Sequence, residues 1–259
     1  MTGVHPIKTT LIEEKVNQFR AWCENLLPDR WSLYHDVLSE ASRRRIPFAV
    51  GGGLAAMAYA GHPRDTKDID LYVQPKDRES MVQVVLDIGL TDYYERAPYD
   101  RKWIFRSCRD DSIVDIMWSM ANQRATVDAE WLNGPAVSVH GLSFRLLRPE
   151  ETLWSKVYVF QHDRCDWPDA INLLYSIGTE LDWTHLLQRT AEDVELVAAL
   201  VTVFHWVCPE RCNQLPPAVL SQLGTTKFQS GEVGCSDRAT LLDSRPWFTP
   251  TLDENPRPQ

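Results

Sequence analysis

The amino-acid sequence predicts an α/β (α+β) fold in which a mixed sheet flanked by helices is followed by a helical domain. Short apolar segments of strand length alternate with helical patterns up to residue 148. From residue 149 to about 207 the pattern is helical, and beyond 208 frequent prolines interrupt regular elements. We therefore expect an α/β domain over residues 1–148, a helical domain over 149–208 and an irregular C-terminal region over 209–259.

Two amphipathic helices are predicted before the first strand. Thr10 and Glu13 have the spacing of a capping box at the start of the first helix. Apolar residues then recur at steps of three and four, the period of one helix face: Ile12, Val16, Phe19, Cys23 and Leu26. The second helix is predicted over about residues 31–45, after Pro28 and Asp29 mark a turn and offer an N-cap.

Strands and helices are predicted to alternate in the segment that follows. Helices are predicted over residues 54–60 and 78–88. Strands are predicted near residues 46–50, 68–73, 103–106, 113–118, 136–139 and 143–147. The first of these strands is separated from the first helix only by the three glycines at residues 51–53, which indicates a tight turn between the two elements.

The chain of 259 residues carries a formal net charge of −9. This acidic balance argues against a surface that binds nucleic acid through a broad basic field. Local basic patches remain open at the run Arg43 to Arg45 and at Arg101, Lys102, Arg106 and Arg109. A basic last turn also complements a helix dipole, so the run at 43–45 has a purely structural alternative.

The sequence also bears on location. No run reaches the roughly 18 uninterrupted apolar residues that a membrane helix needs, and the first ten residues lack a secretory signal pattern. The six cysteines do not have zinc-site spacing, so we expect free thiols in a reducing compartment. The prediction is a cytoplasmic protein with no membrane partner.

Two carboxylates are predicted to lie side by side on one strand. Asp68 and Asp70 alternate with Ile69 and Leu71, so a strand places both aspartates on the same face. Without a cation they would repel each other, and one would take up a proton. Mg²⁺ is the natural counter-ion because it binds a few protein carboxylates together with the phosphates of a nucleotide.

Asp115 is the predicted third member of this group. It is the one charged residue in the apolar strand at residues 113–118. An ionised carboxylate among apolar neighbours is costly unless it is paired or bound to a metal. Three carboxylates would allow a two-metal site for in-line phosphoryl transfer, and Asp115 could also accept the proton of the attacking hydroxyl.

The glycines at 51–53 indicate half of a phosphate site, because bare backbone N–H groups at a helix N-terminus can approach a phosphate. A P-loop is excluded because no Gly-Lys-Ser/Thr follows. A Rossmann dinucleotide site remains open, since Gly51, Gly53 and Ala56 match a tolerated variant of its glycine pattern.

Together the segments 50–55 and 68–71, with Gly61, Arg64 and Thr66, resemble the signature of the DNA polymerase beta-like nucleotidyltransferase superfamily. The most similar branch is that of the AbiEii-type toxins and their uncharacterised relatives, and the match spans about residues 48–118. The resemblance implies that residues 1–148 form a nucleotidyltransferase catalytic domain. It also implies the following roles: Gly52 and Gly53 in the phosphate-binding turn, Asp68, Asp70 and Asp115 as metal ligands, and Arg64 and Thr66 in support of the loop or the triphosphate.

The same branch has a helical lysine followed by an aspartate motif, and residues 153–156 and 163–169 are similar to it. The resemblance implies that Lys156 reaches the nucleotide phosphates. The residues themselves are compatible with this, since Lys156 and Asp163 would share one helix face and Asp166 could N-cap the next helix. A surface ion pair is the alternative.

The predicted function is Mg²⁺- or Mn²⁺-dependent transfer of a nucleoside monophosphate from an NTP to a hydroxyl acceptor, which could be RNA such as tRNA, a protein or a small molecule. A toxin role with an antitoxin partner follows from the AbiEii-type resemblance. Two alternatives of other classes stay open. One is a catalytically inactive nucleotide-binding or partner-binding module with the same fold. The other is a Rossmann dehydrogenase, which would give Asp68 and Asp70 no shared task.

Overall fold

The computed structural model describes residues 10–24, 28–61, 66, 68–225 and 235–242, without the side chains at 28–30, 235–237 and 240. Its helices are α1 (Leu11–Glu24), α2 (Pro28–Arg43), α3 (Gly52–Ala60), α4 (Arg78–Asp87), α5 (Pro149–Val157), α6 (Trp167–Ile177), α7 (Trp183–Arg189), α8 (Val194–Val207), α9 (Pro209–Cys212), α10 (Pro217–Gln222) and α11 (Cys235–Leu242). Its strands are β1 (Ala49–Val50), β2 (Asp68–Tyr72), β3 (Thr91–Asp92), β4 (Ile104–Arg109), β5 (Ser112–Met117), β6 (Ala136–Val139) and β7 (Leu142–Arg145).

The N-terminal helices agree with the predicted pattern except at one cap. The Thr10 amide donates to Glu13 Oε2 at 2.9 Å and the Glu13 amide donates to Thr10 Oγ1 at 3.1 Å, which is the predicted capping box. Leu26 lies outside the described residues. The prediction of Asp29 as an N-cap is wrong because α2 already begins at Pro28, and proline suits the first turn of a helix.

A five-stranded mixed sheet with the order β1-β2-β5-β4-β3 forms the centre of the fold. Strands β2 and β5 run parallel, whereas β1 pairs antiparallel with β2, and β4 pairs antiparallel with β5 and β3. This confirms the mixed sheet flanked by helices. The Rossmann alternative is wrong, because a doubly wound dinucleotide fold needs a mostly parallel sheet.

Helix α3 brings the two parts of the chain together. Its residues 54–60 are all buried, which explains its run of small and apolar side chains. It packs against α1, α5 and α6, so the predicted helical domain lies directly on the α/β part. The division of the chain at residue 148 stays a prediction.

The region after residue 208 contains short helices, although the sequence predicts it to be irregular. Helices α9, α10 and α11 lie within it, and the prediction that its prolines interrupt regular structure is wrong for α9 and α10. Pro209 and Pro217 are the first residues of these helices, where the missing N–H has no partner to lose. Among the helices that the structure describes, none combines the length and the apolar character needed to cross a bilayer.

Candidate active site

A cleft of about 900 Å³ opens over one face of the central strands. Asp70, Asp115 and Arg106, from β2, β5 and β4, line its floor. Its walls come from the glycine turn before α3, from the end of α5 and from the loop between α5 and α6. The predicted aspartates, the glycine turn, Thr66 and Lys156 therefore meet at one place.

The register of β2 and β5 brings the three predicted aspartates to this cleft. Asp70 and Asp115 are direct Cα partners across the parallel pair. Asp68 precedes Asp70 by two residues, so the alternation of the strand places it on the same face. All three line the cleft, with Asp115 only 2% exposed.

The glycine turn lies against one of these carboxylates. Gly52 is the first residue of α3 and has a φ of +54°, a conformation that favours glycine. A Cβ at this position would overlap the carboxylate of Asp70. The Gly51 amide donates to the Asp70 carbonyl at 2.8 Å and fixes the turn to β2. Gly52 and Gly53 both line the cleft at the N-terminus of α3.

The carboxylates of the cleft are electrostatically strained without a cation. Burial, together with the nearby Asp115 and Asp68, raises the pKa of Asp70 to about 7. Burial also raises the pKa of Asp115, and Arg106 opposes that change. A bound positive charge would relieve both carboxylates.

Arg106 holds Asp115 from the neighbouring strand. The two residues are Cα partners across β4 and β5, and the guanidinium donates Nε to Oδ1 at 2.8 Å and Nη2 to Oδ2 at 2.6 Å. This is a bidentate charge-assisted pair. Each carboxylate oxygen has a second acceptor position, so the pair does not exhaust Asp115. From the sequence, Arg106 is predicted only as part of a basic patch, because the cross-strand register does not follow from local spacing.

Thr66 supports the second aspartate of β2. Its hydroxyl donates to Asp68 Oδ1 at 2.6 Å, and Thr66 also lines the cleft. Arg64, predicted to support the loop or the triphosphate, lies outside the described residues.

Lys156 lies at the end of α5, lines the cleft and is 4% exposed. Its ammonium group donates to Asp169 Oδ2 at 2.7 Å and to Asp166 Oδ2 at 3.2 Å. The prediction that Lys156 and Asp163 share a helix face is wrong, because α5 ends at Val157. The surface ion pair offered as the alternative is also wrong, since the pair that forms is buried and has other partners.

Arg164 is a cleft residue to which the sequence analysis gives no role of its own. It lies in the loop between α5 and α6 and donates to both oxygens of Asp166, at 3.0 and 3.1 Å. Although burial acts to raise it, the pKa of Asp166 is lowered by Arg164 and Lys156. Asp166 precedes α6 as predicted, but its side chain makes no capping hydrogen bond.

A divalent cation fits Asp68 and Asp70 better than the full set of three. In the described part of the chain, no group of three or more His, Cys, Asp or Glu side chains is arranged so that it could hold a metal ion. Mg²⁺, however, commonly takes one or two protein carboxylates and completes its shell with water and substrate phosphates. Asp68 and Asp70 meet that smaller requirement, and a cation bound to them would oppose the burial and the neighbouring carboxylates that raise the pKa of Asp70.

The arginines that the sequence offers as nucleic-acid patches are mostly paired with acidic side chains. These pairs are Arg43 with Glu40, Arg44 with Glu40 and Asp87, Arg101 with Asp92, Arg106 with Asp115, and Arg109 with Asp36. At two of its three positions, the basic run at 43–45 is therefore engaged in ion pairs within the protein.

The fold and the cleft together define an α/β protein with clustered carboxylates beside a glycine turn. The chain belongs to the uncharacterised nucleotidyltransferase family, whose model matches residues 34–208. The matched segment contains the glycine turn, the three aspartates and Lys156. No curated protein matches the chain.

Three solved structures illustrate what the chain is similar to. The antibiotic-resistance factor ANT(2'')-Ia is 24% identical, with 67% of this chain and 96% of that one covered and a TM-score of 0.45. The lincosamide antibiotic adenylyltransferase LnuA is 16% identical, with 57% and 97% covered and a TM-score of 0.41. Terminal uridylyl transferase 4 from Trypanosoma brucei is 15% identical, with 90% and 70% covered and a TM-score of 0.32.

Proposed function

We propose that the protein transfers a nucleoside monophosphate from an NTP to a hydroxyl group and releases pyrophosphate. The observation that carries the proposal is the convergence of Asp68, Asp70 and Asp115 on one cleft beside a glycine turn. Family membership supports the same class of reaction. The hydroxyl oxygen forms a bond to the α-phosphorus, and the bond between that phosphorus and the bridging oxygen breaks. Its electron pair leaves with the pyrophosphate.

In this proposal Asp68 and Asp70 hold Mg²⁺ or Mn²⁺, which when bound neutralises phosphate charge and stabilises the in-line displacement. Asp115 is the proposed third ligand of a two-metal site and the proposed acceptor of the hydroxyl proton, through the lone pairs that Arg106 leaves open. The backbone amides of Gly52 and Gly53 approach the phosphates at the N-terminus of α3.

The proposal gives the remaining predicted residues supporting roles around the triphosphate. Thr66 orients Asp68, and Arg64 is proposed to act beside it. Lys156 is proposed to act on the phosphates from its buried position, together with Arg164 on the same wall of the cleft. The AbiEii-type relation, a toxin role with an antitoxin partner and a cytoplasmic location are further predictions that rest on the sequence alone.

A catalytically inactive nucleotide-binding module is the second candidate function. The observation that favours it is the bidentate ion pair between Arg106 and Asp115. In this pair the protein itself neutralises one carboxylate of the site. Such a module would bind an NTP without turning it over.

Calorimetry and a transfer assay distinguish the two candidates. We expect ATP to bind the wild-type protein only with Mg²⁺, and the Asp68→Asn, Asp70→Asn double variant to lose that binding. Asp111→Asn, an exposed aspartate in the β4–β5 turn, is the matched control and retains it. Label from [α-³²P]NTP that enters a product with wild type and control alone establishes transfer. Mg²⁺-dependent binding without transfer would favour the inactive module, and absence of both would refute the proposed site.

A further inference from the structure

The cleft divides into two halves of different character on either side of the aspartates. Glycine and cationic residues line the half at the start of α3 and the end of α5: Gly52, Gly53, Lys156 and Arg164. The other half is built by Trp103, Ile104, Met117 and the segment 119–122. Ile104 and Met117 are cross-strand partners two residues from the Arg106–Asp115 pair, so they continue the same face of the sheet. If the first half takes the nucleotide, the second half faces the acceptor.

None of the seven described residues in the second half is charged. Ile104, Met117, Ser119 and Met120 are buried. The Ser119 hydroxyl is already committed to the Ala125 carbonyl at 2.8 Å. This half therefore offers an aromatic and aliphatic surface with few free polar groups, which would leave a charged acceptor without counter-ions.

Lys102, directly before Trp103, is exposed and forms no ion pair in the described part of the chain, whereas the other cations nearest along the chain have acidic partners. Arg106 grips Asp115, and Arg124 pairs with Glu192 at 2.7 Å and Asp193 at 2.8 Å. Proteins bind a nucleic-acid backbone with lysine and arginine that are free to contact phosphates. In the described part of the chain, one unpaired lysine beside the acceptor half does not supply that electrostatic footprint.

The size of the cleft leads to the same conclusion. Its volume of about 900 Å³ falls near the top of the range of about 300–1,000 Å³ that small-molecule sites span. A nucleotide and a second small molecule would share such a space.

From these observations we infer that the acceptor is an uncharged small molecule that presents a hydroxyl group and lays apolar surface against Trp103. The inference rests on the proposed function and adds the chemical class of its second substrate. The product would be a phosphodiester of the nucleotide and the acceptor. It would carry one negative charge at pH 8, whereas a free nucleoside monophosphate carries nearly two.

The product's charge and size test the inference directly. Wild-type protein is incubated with [α-³²P]ATP, Mg²⁺ and three fractions of a cell extract: RNA, protein, and metabolites below about 3 kDa. We expect label only with the metabolite fraction, in a species that resists alkaline phosphatase and leaves an anion-exchange column before AMP.

The other outcomes separate the inference from the proposed function. Label in RNA or protein would contradict the acceptor class but not the transferase activity. The same holds for a small labelled product that passes through the column uncharged or is retained longer than AMP. Label in no fraction would remove the proposed function, and the acceptor inference with it.

A tryptophan variant tests the position of the acceptor. With the isolated metabolite fraction as probe, we expect Trp103→Phe to raise the apparent KM for the fraction several-fold and Trp103→Leu by roughly ten-fold or more. The dissociation constant of Mg·ATP from calorimetry should not change. Trp206→Leu on the exposed face of α8 is the matched control. An unchanged KM in a folded Trp103 variant, or an equal loss of Mg·ATP affinity, would contradict the placement.

Discussion

Two groups of charged side chains face the same cleft and differ in how their charge is compensated. On β2, Asp68 and Asp70 lie beside Asp115, and among the described residues no lysine or arginine forms an ion pair with either of the first two. On the opposite wall, Lys156 is enclosed by Asp166 and Asp169. Among the described residues, the β2 pair makes no direct ion pair, although Lys156 and Arg164 act to lower the pKa of Asp70, whereas the second group forms direct ion pairs.

The location of the compensating charge therefore distinguishes charged groups that bind a ligand from charged groups that stabilise the fold. A carboxylate cluster without an internal cation is costly to the folded protein, so its persistence indicates a cation from outside. A buried lysine with two carboxylate partners also fixes the geometry of the loop that carries them, in addition to its proposed action on the phosphates. Asp115 lies between the two cases, because Arg106 pairs with it directly while the β2 pair makes no ion pair in the described part of the chain.

The largest expected effect comes from removing an uncompensated carboxylate. Asp70→Asn keeps the shape of the side chain but removes its charge, and we expect the transfer rate to fall by at least about 10³-fold because phosphate charge in the transition state loses its support. The measurement is pyrophosphate release under saturating Mg·ATP. Asp111→Asn should retain the wild-type rate. An Asp70→Asn enzyme with a rate within ten-fold of wild type would contradict the binding role of the β2 carboxylates.

The next effect should appear in stability. Lys156→Met removes the buried cation between Asp166 and Asp169, although Arg164 still pairs with Asp166. We expect a loss of about 2–3 kcal/mol in the free energy of unfolding, below the roughly 3–5 kcal/mol of a fully buried pair. This corresponds to a decrease of several degrees in Tm. Urea and thermal unfolding measure it, with Lys156→Arg as the control that retains the charge. A variant that unfolds like wild type but no longer binds Mg·ATP would show that Lys156 acts in nucleotide binding and not in stability.

A smaller effect, a gain in stability instead of a loss, is expected for Asp70→Asn in the metal-free protein. The pKa of Asp70 is raised from 3.8 to about 7 in the folded state, so folding takes up a proton between those values and the ionised side chain lowers stability as pH rises through them. The shift of about three units limits the effect to roughly 4 kcal/mol, and we expect the asparagine to recover about 2 kcal/mol at pH 8. The gain should vanish near pH 4 and shrink when Mg²⁺ and ATP are added. Equal Tm values at pH 8 would contradict the uncompensated state of the site.

The smallest effect is expected at a compensated surface charge. Arg43→Ala removes an exposed partner of Glu40 on α2, while Arg44 still holds that carboxylate. Surface ion pairs of this kind contribute little. We expect transfer to stay within two-fold of wild type and fluorescence anisotropy to show no change in binding of labelled tRNA. A loss of tRNA binding would show that the run at 43–45 acts as a nucleic-acid patch after all.

The sequence predicts the part of the site that depends on local periodicity. Alternation along β2 placed Asp68 and Asp70 on one face, and the glycines before α3 marked the turn beside them. The pairing of Arg106 with Asp115 could not be predicted in the same way, because it depends on the antiparallel register of β4 and β5. Lys156 shows the same limit, since its partners lie ten and thirteen residues away across a loop.

The fold follows a similar division. The mixed sheet and most helices follow from apolar periodicity. The ends of elements depend on single residues, and the same residue type can either begin or end a helix. Proline ends a helix from within but suits its first turn, which is why α2, α9 and α10 begin where the sequence analysis expected a turn or a break. The second half of the cleft was missed because its residues are uncharged side chains without a recognisable motif. Only the continuation of the face of β5 beyond Asp115, to Met117 and Ser119, would have pointed to it.

The pairing of Asp70 with Asp115 also determines when the site forms during folding. The two residues are 45 positions apart and meet only when β5 aligns beside β2. Contacts at such sequence separation form late, because loop closure must precede them. A chain still emerging from the ribosome could fold β2 against the glycine turn before β5 is added. It would then contain Asp68 and Asp70 but lack Asp115, which lies beside Asp70 in the complete cleft. The carboxylate cluster should therefore form only when β5 joins the sheet, and the phosphate contacts proposed for Lys156 and Arg164 can follow only once α5 and the loop after it are in place.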